Sequence, residues 1–598
     1  RSVSRGLGDV YKRQDLRKEH IGNQVVLFGW CQTRRDHGGV IFVDLRDYTG
    51  VSQVVFKKEI SIEAHQLGDS IRSEYVLAVR GQVEHRLEGN VNPKLPTGEV
   101  EVLVDQLEIL NPSETPPFLL EEREQVDEKI RLTHRFLELR HPDLQHNMMQ
   151  RSRAMQLVRN YFTEEKFFEV ETPILTKSTP EGARDYLVPS RVSPGQFYAL
   201  PQSPQIFKQL LMISGYDRYM QIARCFRDED LRGNRQPEFT QIDLELSFIT
   251  PEEVYRLVEG LMVKLFGELL EIEVPIPFPR MTYQEAMEQY GSDAPDTRFE
   301  LKLVDLSDIA SECGLRVFSE VVKKGGLVKA IRVPGGADLS RKALDDLTEF
   351  AAIYGAKGMA WIKRNEEGWQ SPIAKFFSEE HQAALEKRTS MEVGDLVLFC
   401  ADKPRVVHDT LGNLRKEIAR QRGLIPENEF RFVWVTDFPL FEYSEAEKRF
   451  VSSHHPFTMP NLEDLEAYGQ DQPERIRSRA YDITLNGVEI GGGSIRIHRG
   501  DIQDQVFKLL KLEADEIESK FGFLMKALSF GAPPHGGIAL GFDRIMMFLL
   551  NTESIRDVIA FPKTQRASCL MTEAPSNVSE DQLEELQLRI RASAAKQN

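Results

Sequence analysis

The stretch Cys225–Phe248, CFRDEDLRGNRQPEFTQIDLELSF, decides the fold. It closes one apolar alternating run, Tyr219–Arg227 (YMQIARCFR), and opens another, Gln241–Phe248 (QIDLELSF). Between them lies a loop carrying Arg227, Asp228, Glu229, Asp230, Arg232 and Arg235. Two period-2 runs joined by a charged loop predict an antiparallel hairpin. In the second run Ile242, Leu244, Leu246 and Phe248 share one face, and Gln241, Asp243, Glu245 and Ser247 share the other. One face of the sheet is therefore expected to be polar. Charges of both signs above such a floor suit a polyanion, with arginines gripping phosphate and carboxylates gripping a metal or amine. A solvated surface hairpin is the plainer alternative.

A second hairpin is written in Tyr481–Ile497, YDITLNGVEIGGGSIRI. Asn486-Gly487 supplies the two positive-φ positions of a tight turn. Such a turn pairs Leu485 with Val488, Thr484 with Glu489 and Ile483 with Ile490. Asp482, Thr484 and Glu489 then share a face, the two carboxylates being diagonal neighbours roughly 7 Å apart or less. That spacing suits a shared Mg²⁺, which takes one or two carboxylates and fills its remaining positions with water and phosphate oxygens. The run Gly491–Gly493 permits close approach of backbone or ligand, and Arg496 follows it. A third stretch, GGIALGFDRIMMFLL (536–550), has Gly537 and Gly541 before a helix that opens with Arg544. No GxxxxGK[ST] or GxGxxG is present, so a nucleotide held here lies on an antiparallel sheet.

Composition bounds these readings. The 598 residues are 41% hydrophobic and 28% charged, enough for roughly three or four domains. No run reaches the roughly 18 apolar residues of a membrane helix, and the start lacks a signal-peptide core, which reads as a cytoplasmic protein. Five scattered cysteines without CxxC spacing argue against a disulfide framework or structural zinc. The net charge of −17 is uneven: residues 1–111 hold 15 basic and 16 acidic side chains, leaving room for a local basic patch there.

The expected class is α+β. Residues 1–14 lack an initiator Met and any period and read as a non-native scar. Residues 15–110 carry five short strands, with a helix between the third and fourth, the order of an OB-fold barrel. Residues 111–133 open on NPSETPP and form a linker. The main domain occupies 134–294, with a strand over Phe167–Leu175, and resumes at 426–566. Residues 295–425 interrupt it with their own βα patterns, such as Leu327–Val333 and Leu344–Ala352, and 567–598 form a C-terminal extension.

In combination these stretches resemble class II aminoacyl-tRNA synthetases. FRDED with RQPEFTQID resembles motif 2, GIALGFDR motif 3, and VETPIL with Pro173 motif 1, which in the family lies at the dimer interface. The OB-fold marks subclass b. STPEGARDY, QSPQIFKQLLM, SSHHPFT and EIGGGSIRI are similar to the bacterial aspartyl-tRNA synthetases, and the inserted domain matches the extra domain of the bacterial type. The resemblance runs from Asp15 to the end, with Cys31-Gln32-Thr33 departing from relatives.

The resemblance implies a homodimer that joins aspartate and ATP into aspartyl-adenylate, then transfers the aspartyl group to the 3′-hydroxyl of tRNA(Asp), with tRNA(Asn) a second candidate. Arg227 would hold the α-phosphate and also contact the aspartate, with Glu229 and Arg544 completing the catalytic set. Asp228, Gln236, Glu489, Gly541, Phe542 and Asp543 would line the ATP site, with Phe239 and Arg544 sandwiching adenine. Asp482 and Glu489 would hold Mg²⁺. Glu181, Ser203, Gln205 and Asp243 would receive the ammonium group of aspartate. Lys208, Arg496 and His455, with His454 the alternative, would meet its side-chain carboxylate. Ser203-Pro204 is expected to cap a helix carrying Gln205 and Lys208 on one face. Phe42 would stack on the middle anticodon base and Gln53 would read it, the plainer reading of Phe42 being barrel core. An asparagine synthetase-like enzyme, an asparaginyl- or lysyl-tRNA synthetase and a non-catalytic RNA-binding paralogue compete. The OB-fold and inserted domain, the pair Lys208 and Arg496, and intact motifs 2 and 3 count against them in turn.

Overall fold

The structure, a computed structural model, describes residues 16–591 except 88, 180, 181, 230, 232, 233 and 446. Residues 1–14, Glu181, Asp230 and Arg232 therefore lie outside the described residues. Contacts divide the chain into two compact units, one running to Ser152 and taking in Arg556–Asn577, the other spanning Arg153–Ile555 and continuing from Val578.

In the first unit, strands Gln24–His37, Val40–Asp47, Gly50–Phe56, Val76–His85 and Val100–Asn111 close into a barrel, the helix Ile62–Asp69 following the third. Alternation sends Leu27, Val43, Leu45, Val79 and Val102 inward to a shared core. Closure comes from parallel pairing of the third and fifth strands, Val54 opposite Val102, which removes the open edges. Buried Arg135 fastens the returning segment by donating to the carbonyls of Arg556, Ile559 and Ala560 at 2.7–2.9 Å.

The second unit is built on an eight-stranded sheet. Its order is Arg280–Thr282, Phe432–Thr436, Ala480–Leu485, Val488–Ile495, His535–Gly541, Glu238–Ser247, Arg218–Phe226 and Phe168–Glu169. All neighbours are antiparallel except the two outermost pairs, which are parallel. Behind it the helix Pro251–Leu270 buries Leu257, Leu261, Leu265 and Phe266, and Trp434 Nε1 donates to its Glu259 at 3.0 Å.

Three expectations need correction. The strand expected over Phe167–Leu175 pairs only at Phe168–Glu169, because the chain leaves the sheet well before Pro173. Phe248 does not share a face with Leu246: the strand stops at Ser247, and Phe248, at φ +57°, is 73% exposed. In the Asn-Gly hairpin Leu485 faces Val488 and Thr484 faces Glu489, but a bulge then places Ile483 opposite Gly491 instead of Ile490.

A separate five-stranded sheet (Leu303–Asp305, Leu327–Val333, Ala360–Asn365, Gly368–Gln370 and Leu396–Asp402) lies in the chain between the two parts of the larger sheet. The strand Leu396–Asp402 shows how both its faces are covered. Leu396, Leu398 and Cys400 join Leu344, Leu347, Leu411 and Leu414, while Val397 and Phe399 join Ile309, Phe318 and Leu385. Fully buried Arg415 ties its entry by donating to the carbonyls of Asp296, Phe299, Glu300 and Leu301.

Glycine lets the central strands of the large sheet approach one another. A Cβ on Gly493 would lie 2.1 Å from the Gly537 carbonyl oxygen, whereas one on Gly500 meets nothing within 4 Å. Because backbone cannot swing aside, Gly493→Ala is expected to cost about 3 kcal/mol. Gly500→Ala should leave the midpoint unchanged or raise it slightly. Calorimetric melting of the two variants checks this.

Candidate active site

A cavity of about 480 Å³ opens over the polar face of the central strands. At one end four charged side chains are buried together. Lys208 Nζ lies 3.1 Å from Asp243 and 3.4 Å from Glu245. Arg496 grips Glu245 at 3.0 and 3.3 Å and donates to Ser494 Oγ at 2.7 Å. The strand period puts Asp243 and Glu245 side by side on the cavity face, and the helix Gln205–Ile213 delivers Lys208 to them. Burial would raise Glu245, but Arg496 and Lys208 outweigh it and hold its carboxyl below the ordinary range. Asp243 is pushed up, burial prevailing over Lys208, and its Oδ2 has no hydrogen-bond partner.

The resemblance had assigned Asp243 and Lys208 to opposite ends of the amino acid. In the structure the two also pair with each other, and Glu245, which sequence reasoning left as part of a polar floor, bridges Lys208 and Arg496. Ser203 is also displaced: the cap position is Pro204, and Ser203 Oγ accepts from the Gln205 N–H at 3.3 Å. Gln205, Lys208, Ser203, Arg496 and His455 all line the cavity.

The two histidines separate by environment. His455 is held well below its ordinary value by burial and then by Arg496, Lys208 and His454, so its ring is neutral. Its Nδ1 accepts the Phe457 N–H at 3.2 Å, so Nε2 carries the proton, buried and without a partner. His454 turns the other way, with Nε2 3.3 Å from Asp482 Oδ2.

At the far end the Arg227 guanidinium sits 5.2 Å from the Phe239 ring centroid, and its Nε is buried without a hydrogen-bond partner. Arg544 Nη1 donates to the Glu489 carbonyl at 2.7 Å. Asp543 accepts the Thr240 N–H at 2.8 Å, pinning the start of the helix Phe542–Leu549 to the central strand. Glu229 pairs with Arg235 at 2.9 Å. Gln236 and Gly541 complete this lining. Two expected ATP-site residues lie elsewhere. Asp228, alternating with Arg227 and Glu229, faces Arg184 at 3.8 Å, and Phe542 is fully buried in the core.

Asp482 and Glu489 flank Gly492, where a Cβ would lie 2.6 Å from Asp482 Oδ1 and 3.8 Å from Glu489 Oε1. Thr484 is not among the cavity residues. It is buried, and its hydroxyl donates to the Val433 carbonyl at 3.2 Å. Asp482 Oδ1 is buried without a partner, and burial together with the Asp482 charge raises Glu489. Two facing carboxylates with an orphaned oxygen fit a divalent cation. Among the described residues no group of three or more His, Cys, Asp or Glu is arranged to hold a metal, so the ligand would supply the remaining positions. Asp293 also lines this end, raised by burial and by Glu489. It lies at the edge of the inserted segment, where no sequence motif pointed to it.

In the barrel, Phe42 is half-buried and out of the core formed by its neighbours Ile41 and Val43. It packs edge-on to His37 at 5.9 Å. Asp44, two residues along, pairs with Gln53, whose Nε2 donates to Glu101 at 2.8 Å. Phe42 and Gln53 thus lie on adjacent strands of one outer face.

The chain matches the family described as tRNA synthetases class II (D, K and N) over residues 127–565 and the OB-fold nucleic acid binding domain over 25–110. It is 58% identical to the aspartate–tRNA(Asp/Asn) ligase of Desulfatibacillum aliphaticivorans over 97% of both chains. It is 57% identical to that of Oleidesulfovibrio alaskensis over 96% of this chain and 94% of the other. The asparaginyl-tRNA synthetase of Pyrococcus horikoshii, solved with asparaginyl-adenylate, shares the fold at a TM-score of 0.58 and 19% identity, covering 93% of this chain and 98% of that one. On this evidence the chain belongs to the class II tRNA synthetases of the D, K and N group.

Proposed function

We propose that this chain is an aspartate–tRNA ligase, which activates L-aspartate with ATP and transfers it to the 3′-end of tRNA(Asp), with tRNA(Asn) a second acceptor. The observation that carries this reading is one cavity holding a donor-rich buried end at Lys208, Arg496 and His455 and a phosphate-suited end at Arg227 and Arg544. The names of relatives 58% and 57% identical support both acceptors.

Aspartate would enter with its side-chain carboxylate toward Lys208, Arg496 and the His455 Nε2–H. Its ammonium would meet Gln205 and the unpartnered Oδ2 of Asp243. Glu181, outside the described residues, would complete that set. The α-carboxylate then attacks the α-phosphorus of ATP and pyrophosphate leaves, with Arg227 placed to stabilise charge on the α-phosphate. Phe239 and Arg544 would bracket the adenine, and Glu229 and Gln236 would contact the nucleotide. No protein nucleophile is required, so catalysis rests on positioning. Asp482 and Glu489 would hold Mg²⁺, which neutralises phosphate charge when bound. The tRNA 3′-hydroxyl next attacks the aspartyl carbonyl and releases AMP. Phe42 would stack on an anticodon base while Gln53 reads its edge.

A homodimer through motif 1 is supported by the apolar side chains Phe168, Ile174 and Leu175, each at least half exposed. A cytoplasmic location is part of this reading, supported by tRNA as the proposed substrate.

Aminoacylation of purified tRNA(Asp) and tRNA(Asn) with aspartate, run side by side, tests the function. Both should be charged. Failure with both overturns the proposal, and charging of tRNA(Asp) alone removes the second acceptor. Replacing Asp482 by Asn and Glu489 by Gln together should lower aspartate-dependent ATP–pyrophosphate exchange at least about a hundredfold while the melting curve stays in place. Phe42→Ala should weaken tRNA charging about tenfold or more, since stacking on one base contributes on the order of 1–3 kcal/mol. Exchange measured without tRNA should hold at the parent rate, and a parallel fall in both reactions would assign Phe42 to barrel stability.

A further inference from the structure

Behind the Lys208–Arg496 end of the cavity runs a line of side-chain hydrogen bonds through His535, Gln209 and Gln205. His535 is buried, and its Nδ1 lies 2.7 Å from the Pro533 carbonyl, which can only accept. In the neutral ring Nδ1 therefore carries the proton and Nε2 is an acceptor. Gln209, fully buried, places its Nε2 3.2 Å from that ring nitrogen. With its amide nitrogen so committed, Gln209 offers Oε1 on the other side, where Gln205 Nε2 donates to it at 3.2 Å. Gln205 lines the cavity.

We propose that Gln209 and His535 are positioning residues for the amino acid: through this relay they fix the Gln205 amide so that its carbonyl oxygen, and not its NH₂, is presented to the substrate ammonium. An amide whose two ends are similar in size cannot be oriented by packing, only by polar partners. Here the choice is made two residues away by a carbonyl that has no alternative role. Burial holds His535 below its ordinary value, with Glu245 raising it and Arg496 and His498 lowering it, which keeps Nε2 an acceptor. A proton on Nε2 would reverse each donor and acceptor along the line and turn the Gln205 NH₂ toward another cation.

The inference rests on the reading of this end as the aspartate site, and three variants of the full chain separate the two. ATP–pyrophosphate exchange would be measured against aspartate and ATP concentration. Gln205→Leu removes the contact itself; if it leaves the aspartate KM unchanged, the reading of the pocket fails and the inference falls with it. Gln209→Met keeps the volume but removes both hydrogen bonds. It should raise the aspartate KM about three- to tenfold, with kcat and the ATP KM within about twofold of the parent. Gln209→Glu places two acceptors against His535 Nε2, so the imidazole must take up a proton to restore the line. Its aspartate KM should approach the parent value at low pH and climb as pH rises through the imidazole's titration, a climb absent from the parent. The inference is overturned if Gln205→Leu raises the aspartate KM while Gln209→Met does not. It is equally overturned if Gln209→Glu follows the parent pH profile.

Discussion

The second unit is organised around four charges that have almost no access to water: Lys208, Asp243, Glu245 and Arg496. Removing such groups from solvent costs several kcal/mol each, and only mutual pairing with good geometry offsets that. The fold therefore has to bring a helix, a strand and Arg496, the last more than 250 residues further along the chain, to within hydrogen-bond distance. Apolar side chains of the same volume would pack at lower cost. What they would not provide is a fixed set of donors facing a cavity. The retention of ions here is best understood as a binding requirement imposed on the core.

Glycine is the second half of that arrangement. Side chains at Gly537 and Gly493 would collide with backbone, and at Gly537 also with the Glu245 carboxylate at 2.2 Å. The small residues thus let the charged pair sit flat under the neighbouring strand. The same device recurs at Gly492, whose missing side chain leaves the carboxylates of Asp482 and Glu489 open to one another. The two ends of the cavity are consequently built on neighbouring strands of one sheet, from Ala480–Leu485 to Glu238–Ser247, so movement of a central strand would disturb both.

Much of this was legible because it follows local rules. The barrel order, the hairpin ending in Gln241–Ser247 and the Asn-Gly turn are each set by period and turn chemistry within some twenty residues. What escaped was decided elsewhere in the chain. The bulge after Glu489 arises where the glycine run meets the His535–Gly541 strand, and a two-residue turn alone would have continued in register. Phe248 reads as the next apolar residue of its strand, yet its N–H is taken by the Pro534 carbonyl and the chain turns away. Asp228 and Phe542 were adopted with their motifs, and alternation and burial respectively carry them out of the cavity. Glu245, Asp293 and the Gln209–His535 pair carry no motif, so only the assembled sheet shows what they face.

On the proposed reading of this end as the aspartate site, the buried cluster would also change the logic of discrimination between aspartate and asparagine. Taken alone, Lys208 and Arg496 would be two cations awaiting a substrate counter-charge, which asparagine would leave unpaired. In the structure both already have carboxylate partners, so a neutral side chain strands no charge. Selection must then come from the kind of hydrogen-bonding group on offer. Lysine ammonium, arginine guanidinium and the His455 Nε2–H are all donors. A carboxylate meets them with two accepting oxygens, whereas an amide presents one oxygen and one NH₂ that must face a donor. A buried donor left against another donor loses its hydrogen bond outright, and sites built on polar complementarity can separate near-isosteric substrates by roughly 10⁴-fold. The neutral state of His455 would be part of this device, since its backbone-held Nδ1 leaves the proton on the unpartnered Nε2.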